Sequence, residues 1–225
     1  MEHVVARVFF DTLPKDMITV PSCHECDAGR GDGGPRDFHL DEEYMRNVLC
    51  LKTDLDTNAA ATALVKGKVI PSIARSHTMQ QWTVSTTHQV LQQTTSGILV
   101  PRLAYTVDLS RIERVIRKII RGLYFAKERT ALPLDVEIAV KAELSQDEFD
   151  HYLGQYSDPD QWFGVGKNIF LYKAMRSPER PYETGWLMIW YGAHACVAFT
   201  CTRAALEKQT MSSAGSPRFN TEIDH

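Results

Sequence analysis

No stretch of this 225-residue chain approaches the roughly 18 apolar residues needed to cross a bilayer as a helix, so a helix-anchored membrane protein is not expected. The start, Met1-Glu2-His3, lacks a basic segment followed by an apolar one. No secretory leader is therefore expected, and the cytoplasm is the expected compartment. Gly-x-Ser-x-Gly, P-loop and dinucleotide fingerprints are all missing, which removes the best-marked hydrolase and nucleotide-binding classes. Positive charge is not in excess: 25 Lys and Arg stand against 28 Asp and Glu, for a net charge of −3. A generally basic nucleic-acid-coating protein is excluded, and any contact with DNA would come from a local patch. The chain has no internal repeat. Its five cysteines, Cys23, Cys26, Cys50, Cys196 and Cys201, are odd in number and scattered, as in a reduced compartment.

What is present is an ordinary globular composition, 44% hydrophobic and 24% charged. Residues 1–39 show little periodicity and are broken by Pro14, Pro21, Pro35 and the glycine-rich run Gly29 to Gly34. Leu40 to Tyr44 reads as a helix start with acids in its first turn, continued by Val48, Leu49 and Leu51. A second helix is expected over 57–74, kinked or divided at Pro71. Residues 78–93 are ambiguous between helix and strand, and 96–107 alternate as a strand. Ser110 and Glu113 have the spacing of a capping box, and Ile112, Val115, Ile116, Ile119, Ile120 and Leu123 then repeat at helical steps. Strands are expected at 136–140, 162–174, 185–191 and 194–201, with a short helix at 147–153. This order predicts an α+β fold with an antiparallel sheet. The divisions expected are 1–51, an α+β domain over 52–206, and a Ser/Thr/Gly/Pro-rich disordered tail at 207–225.

Chemistry gathers near the N-terminus. Cys23-x-x-Cys26 at a turn offers two thiolates to one tetrahedral metal, which is half of a structural zinc site. Two unremarkable thiols are the plain alternative. A thioredoxin-like redox role fits less well, because no βαβ setting surrounds the pair. His24 and His39 are the nitrogen donors that could complete the site.

The run Glu2-His3-Val4, then Leu13-Pro14-x-Asp16-x-Ile18-Thr19-Val20-Pro21-x-Cys23-x-x-Cys26, then Asp41-Glu42-Glu43-Tyr44, resembles a group of bacterial proteins classed as HNH endonucleases. The likeness covers residues 2–51 and continues loosely through 98–125. It implies an N-terminal ββα-metal module, followed here by helices and an antiparallel sheet. It also implies DNA as substrate and a divalent metal, Mg or Zn, at the catalytic centre. His3 would be the general base on a water, Glu2 its metal-side partner, and Asp27 would stand where the family has asparagine. Cys23 and Cys26 would be half of a zinc knuckle. The family carries a further Cys-x-x-Cys upstream of the acid–histidine pair, and here only Met1 precedes Glu2. That departure implies a truncated or degenerate copy with an incomplete structural zinc site.

Elsewhere, Arg114, Arg117, Lys118 and Arg121 share the helix face opposite the Ile/Val stripe. They read either as a phosphate-tracking patch for DNA or as a solvated face. Trp82, Trp162, Trp186 and Trp190 read as core rather than base-stacking aromatics. His77, His88, His151 and His194 are isolated. Cys196 and Cys201 read as inert thiols in an apolar strand.

Overall fold

A computed structural model describes residues 1–21, 36–93, 97–156, 161–177 and 179–202. The fold is α+β, with helices and antiparallel sheets. The tail expected at 207–225 lies outside the described residues, as does the glycine-rich run at 29–34.

The chain opens with two short strands, β1 (Glu2–His3) and β2 (Thr19–Val20), which pair antiparallel with His3 opposite Thr19. Between them Val4, Val5, Phe9 and Phe10 turn inward and are buried. The first helix, α1 (Arg36–Lys52), starts several residues earlier than the acids at 41–43 suggested. Asp41 and Glu42 therefore sit inside the helix and are buried, together with Tyr44 through Cys50. Their role is packing and pairing, not relief of the helix dipole.

The helix expected over 57–74 is one path in three parts: α2 (Ala59–Leu64), a π-helical turn at Val65–Val69, and α3 (Ile70–Arg75). Pro71 lies in the first turn of α3, where its missing N–H costs least, and the π turn absorbs the mismatch ahead of it. Asn58 caps α2 by accepting from Ala61 N–H at 3.0 Å, and its Nδ2 donates to Tyr191 O at 2.7 Å. Asn58→Ala should therefore lower stability by about 1–2 kcal/mol, read from urea unfolding, because a cap and a bond to a distant turn go together.

The ambiguous 78–93 segment is both structures in succession. A helix, α4 (His77–Thr86), passes directly into β3 (Thr87–Gln93). Thr83, Thr86 and Thr87 each turn their hydroxyls onto the carbonyl four residues back, at 2.8, 2.8 and 2.5 Å, which competes with helix propagation at the point where it stops. β3 pairs with β4 (Leu99–Tyr105) as a two-stranded ribbon separate from the main sheet.

The long amphipathic helix α5 (Leu109–Glu128) has its cap two residues before the one expected at Ser110. Asp108 is the cap, accepting from Ser110 N–H at 3.1 Å, and Glu113 pairs with Arg117 instead. Its Ile/Val stripe is buried, as its periodicity indicated.

Five antiparallel strands close the fold: β5 (Val136–Lys141), β6 (Phe163–Val165), β7 (Phe170–Arg176), β8 (Thr184–Trp190) and β9 (His194–Thr202), in the order β5-β9-β8-β7-β6. A short helix, α6 (Gln146–Leu153), with a Ser145/Glu148 capping box, links β5 to β6. The single strand expected over 162–174 is instead a hairpin. Gly166, Lys167 and Asn168 all take positive φ, and the chain reverses there. One buried cluster runs from Val4 through α1, α5 and the sheet to Ala198, so residues on both sides of position 52 share a core. No described helix is long and apolar enough to cross a membrane.

Candidate functional site

The unit formed by β1, β2 and α1 packs its strands and helix against α5. Glu2 and His3 lie on β1. The Glu2 carboxylate is taken by the Lys118 ammonium from α5, and the same ammonium reaches Glu42 Oε1 of α1 at 2.6 Å. One lysine thus ties a strand and two helices together. One and two turns earlier on α5, Arg114 Nε and Arg111 Nε hold the two oxygens of Asp41 at 2.8 and 2.5 Å. Arg111 also lies over the Tyr44 ring, 4.2 Å from its centre.

Burial raises the Glu42 carboxyl above its ordinary range, although Lys118 pulls the other way. For Lys118, burial alone would lower the pKa, but Glu42 and Glu2 outweigh it and the net shift is upward. The two directions agree on the physics. A buried carboxylate is costly to ionise, and once ionised it holds its ammonium tightly.

His3 is different. Its Nδ1 is buried with no hydrogen-bond partner among the described residues, and its pKa is lowered, first by burial and then by Arg7, with Glu2 opposing. Its imidazole is therefore neutral near pH 7 and able to accept a proton. His39 lies on the exposed side of α1, 3.8 Å from Glu43. Cys23, His24, Cys26 and Asp27 lie outside the described residues. Among the described residues no three His, Cys, Asp or Glu side chains are grouped to hold a metal ion. The structure brings Glu2 near Glu42, and it assembles no ligand set from the described candidates alone.

The four cations on the basic face of α5 each have a partner within the fold, while the Arg114 and Arg117 side chains stay partly exposed. Arg114 holds Asp41 and Lys118 holds two glutamates. Arg117 Nε donates to Ile138 O at 3.1 Å and its Nη2 to Glu113 at 2.9 Å. Arg121 donates to Leu132 O, Pro133 O and Val136 O at 3.3–3.4 Å. These cations fasten α5 to α1 and to β5.

Three polar groupings escaped the sequence. Arg46 and Asn47 are buried in α1, with Arg46 Nε and Nη2 both donating to Asn47 Oδ1 at 3.0 and 2.8 Å. The Nδ2 of Asn47 has no partner among the described residues. His194 is not isolated: Thr53 Oγ1 gives its proton to Leu49 O at 2.7 Å, so it accepts from His194 Nε2–H at 2.8 Å. His194 borders a cleft between α1, the start of α5 and β9, with Lys52, Glu143, Trp190 and Cys196. Its free volume is about 20 Å³, room for about one water. Lys173 is buried on β7, donates to Gln161 O, and sits 4.9 Å from the centre of the Trp162 ring. A charged residue inside an otherwise apolar stretch was the one sequence signal for Arg46 and Lys173. Trp186 and Trp190 are buried in the core, and burial pushes the Cys196 thiol up to about 12.

No protein-family model, no curated protein and no solved structure matches this chain.

Proposed function

We propose that the β1–β2–α1 unit hydrolyses phosphodiester bonds in DNA in the manner of an HNH endonuclease, with His3 as general base on the attacking water. The observation that carries this reading is the order of the elements and the state of the histidine. A strand bearing Glu2-His3 pairs with a second strand, a helix follows, and the His3 imidazole is shifted toward its neutral form with one ring nitrogen unpartnered among the described residues. The motif likeness over residues 2–51 supplies the rest. It calls for a divalent metal, Mg or Zn, and the described side chains do not by themselves form its site. Cys23, His24, Cys26 and Asp27 are the candidates left to complete one. A cytoplasmic location and DNA as partner belong to the same reading.

The direct test is incubation of supercoiled plasmid with the purified chain in Mg²⁺, Mn²⁺, Ni²⁺ or Zn²⁺. Nicking is expected, falling about 10²-fold or more in His3→Ala, the ordinary loss on removing a general base. No nicking with any of the four ions sinks the reading.

A second reading, a non-catalytic binding or structural protein that keeps the scaffold, is favoured by Lys118. Its ammonium occupies the place between Glu2 and Glu42 where a cation would sit. Metal analysis separates the two. Less than about 0.1 zinc per chain, with stability unchanged by chelation, favours the scaffold.

A further inference from the structure

The β3–β4 ribbon has two outer edges, and among the described residues only one is guarded. Thr106 N–H donates to Thr86 O at 3.0 Å, which sets the alternation along the ribbon. His88–Ala104, Val90–Arg102 and Gln92–Val100 exchange backbone bonds between the strands, while Gln89–Leu103 and Leu91–Pro101 aim their backbone groups outward. On β4 the outward position at 101 is a proline with no N–H to offer, one of the ordinary ways an edge is blocked. On β3 the outward positions 89 and 91 are Gln and Leu, with intact donors and acceptors. Thr87 gives its N–H to Thr83 O, so the open stretch begins after it.

Among the described residues the usual protections are missing from β3. No Asp, Glu, Lys or Arg lies between Arg75 and Arg102. The strand is seven residues long, pairs only with β4 among the described strands, and is exposed over most of its length. The apolar side chains around it face solvent: Val84 is 78% exposed, Leu91 67% and Leu99 57%. A two-stranded ribbon alone is marginal in water, and pairing its open edge would extend the sheet.

We infer that β3 is an isologous docking edge for a second copy of this chain, giving a continuous four-stranded antiparallel sheet across a twofold axis at Val90. The occupant follows from charge and symmetry. A twofold interface sets the same edge against itself, so a charged edge would repel its own copy, whereas this stretch carries no formal charge. The register follows from the outward groups. Gln89 and Leu91 must form the hydrogen-bonded pairs, so Gln89 faces Leu91 of the second copy and Val90 faces Val90. Both Leu91 side chains then share one face of the joined sheet. A single strand edge with a few apolar side chains buries less than the ~800 Å² per partner of tight complexes, so the dimer is a micromolar one.

The test uses the full chain. Sedimentation velocity should show a monomer–dimer equilibrium in the micromolar range. Gln89→Pro, which removes an outward N–H while leaving the inner ladder intact, should weaken it at least tenfold, and Gln89→Ala should not. A non-hydrogen-bonded pair brings Cα atoms to about 4.5 Å, within disulfide reach. Val90→Cys should therefore form, under mild oxidation, a dimer whose cross-link maps to position 90 by peptide mass spectrometry. Amide exchange at Gln89 and Leu91 should slow as protein concentration rises. A wild-type chain that stays monomeric near 1 mM overturns the inference, as does a Val90→Cys chain with no cross-link at position 90. Protection of those amides that is independent of concentration also overturns it, because the occupant is then another segment or partner.

Discussion

Replacing Lys118 with methionine should lower folding stability by about 3 kcal/mol at pH 7, the scale for removing one partner of a buried ion pair. The size follows from where the carboxylates are left. The Glu42 side chain is only 8% exposed and Glu2 is 27% exposed, so neither regains full hydration when the ammonium goes. Methionine keeps most of the apolar stem, so the loss reports the charge more than the packing. The pH dependence gives an independent check. The folded pKa of Glu42 is raised by burial, so its contribution is fully present below the ordinary glutamate pKa and is lost as pH rises through the folded value. Without Lys118 that folded value rises further. The deficit of Lys118→Met should therefore shrink as pH falls from 8 towards 4.5. At the other end, the folded pKa of Lys118 is raised, so the stability it supplies is complete below the ordinary lysine pKa and is lost as pH climbs through the folded value. Only the wild-type chain should show that alkaline loss. Urea unfolding at pH 5 and pH 8 measures the deficit and its pH dependence, and a deficit under about 0.5 kcal/mol at pH 8 would mean that this cluster does not hold β1 to the helices.

The same cluster shows what a sequence can and cannot display. The Ile/Val stripe of α5 was legible because burial on a helix leaves a periodic trace. The sheet strands at 136–141, 184–190 and 194–202 were legible from their apolar content and the turn at Gly192. The partners of Arg114 and Lys118 were not legible. A stripe of cations at helical spacing looks the same whether it faces phosphates, water or carboxylates, and Asp41 and Glu42 lie more than seventy positions away. The break between α4 and β3 was visible only as ambiguity, since threonine suits a strand and can also end a helix through its hydroxyl. At the candidate site, Glu2 and His3 were picked out by their motif. The buried His3 nitrogen and the bridging ammonium depend on tertiary packing, which no local pattern records.

Gly166→Ala should be among the most damaging single-atom-scale changes, costing about 2–4 kcal/mol. Gly166 has φ +70°, where an L residue costs about 1–2 kcal/mol. An added Cβ would also lie 2.6 Å from Phe10 Cε1 and 2.8 Å from Cδ1, closer than carbon atoms approach. Phe10 cannot easily yield: it is fully buried, and its neighbour Phe9 packs on Trp190 with ring centres 4.6 Å apart. The Gly166 N–H also serves both oxygens of Asp16 at 3.1 Å, so a shift of the turn strains that contact as well. Overpacking of this kind adds about 1–3 kcal/mol to the backbone cost. Gly192 supplies the control within the same protein. It has φ +65°, and a Cβ added there would meet nothing within 4 Å, so Gly192→Ala should show the backbone cost alone. The difference between the two variants, read from urea unfolding, isolates the Phe10 contact. Because Phe10 and Asp16 both belong to the segment joining β1 to β2, Gly166→Ala should also loosen the strand that carries His3, seen as faster amide exchange at Val4, whose N–H bonds to Ile18 O at 2.9 Å. Equal losses in the two glycine variants, with Val4 exchange unchanged, would show that the sheet does not brace the β1–β2 segment through this turn.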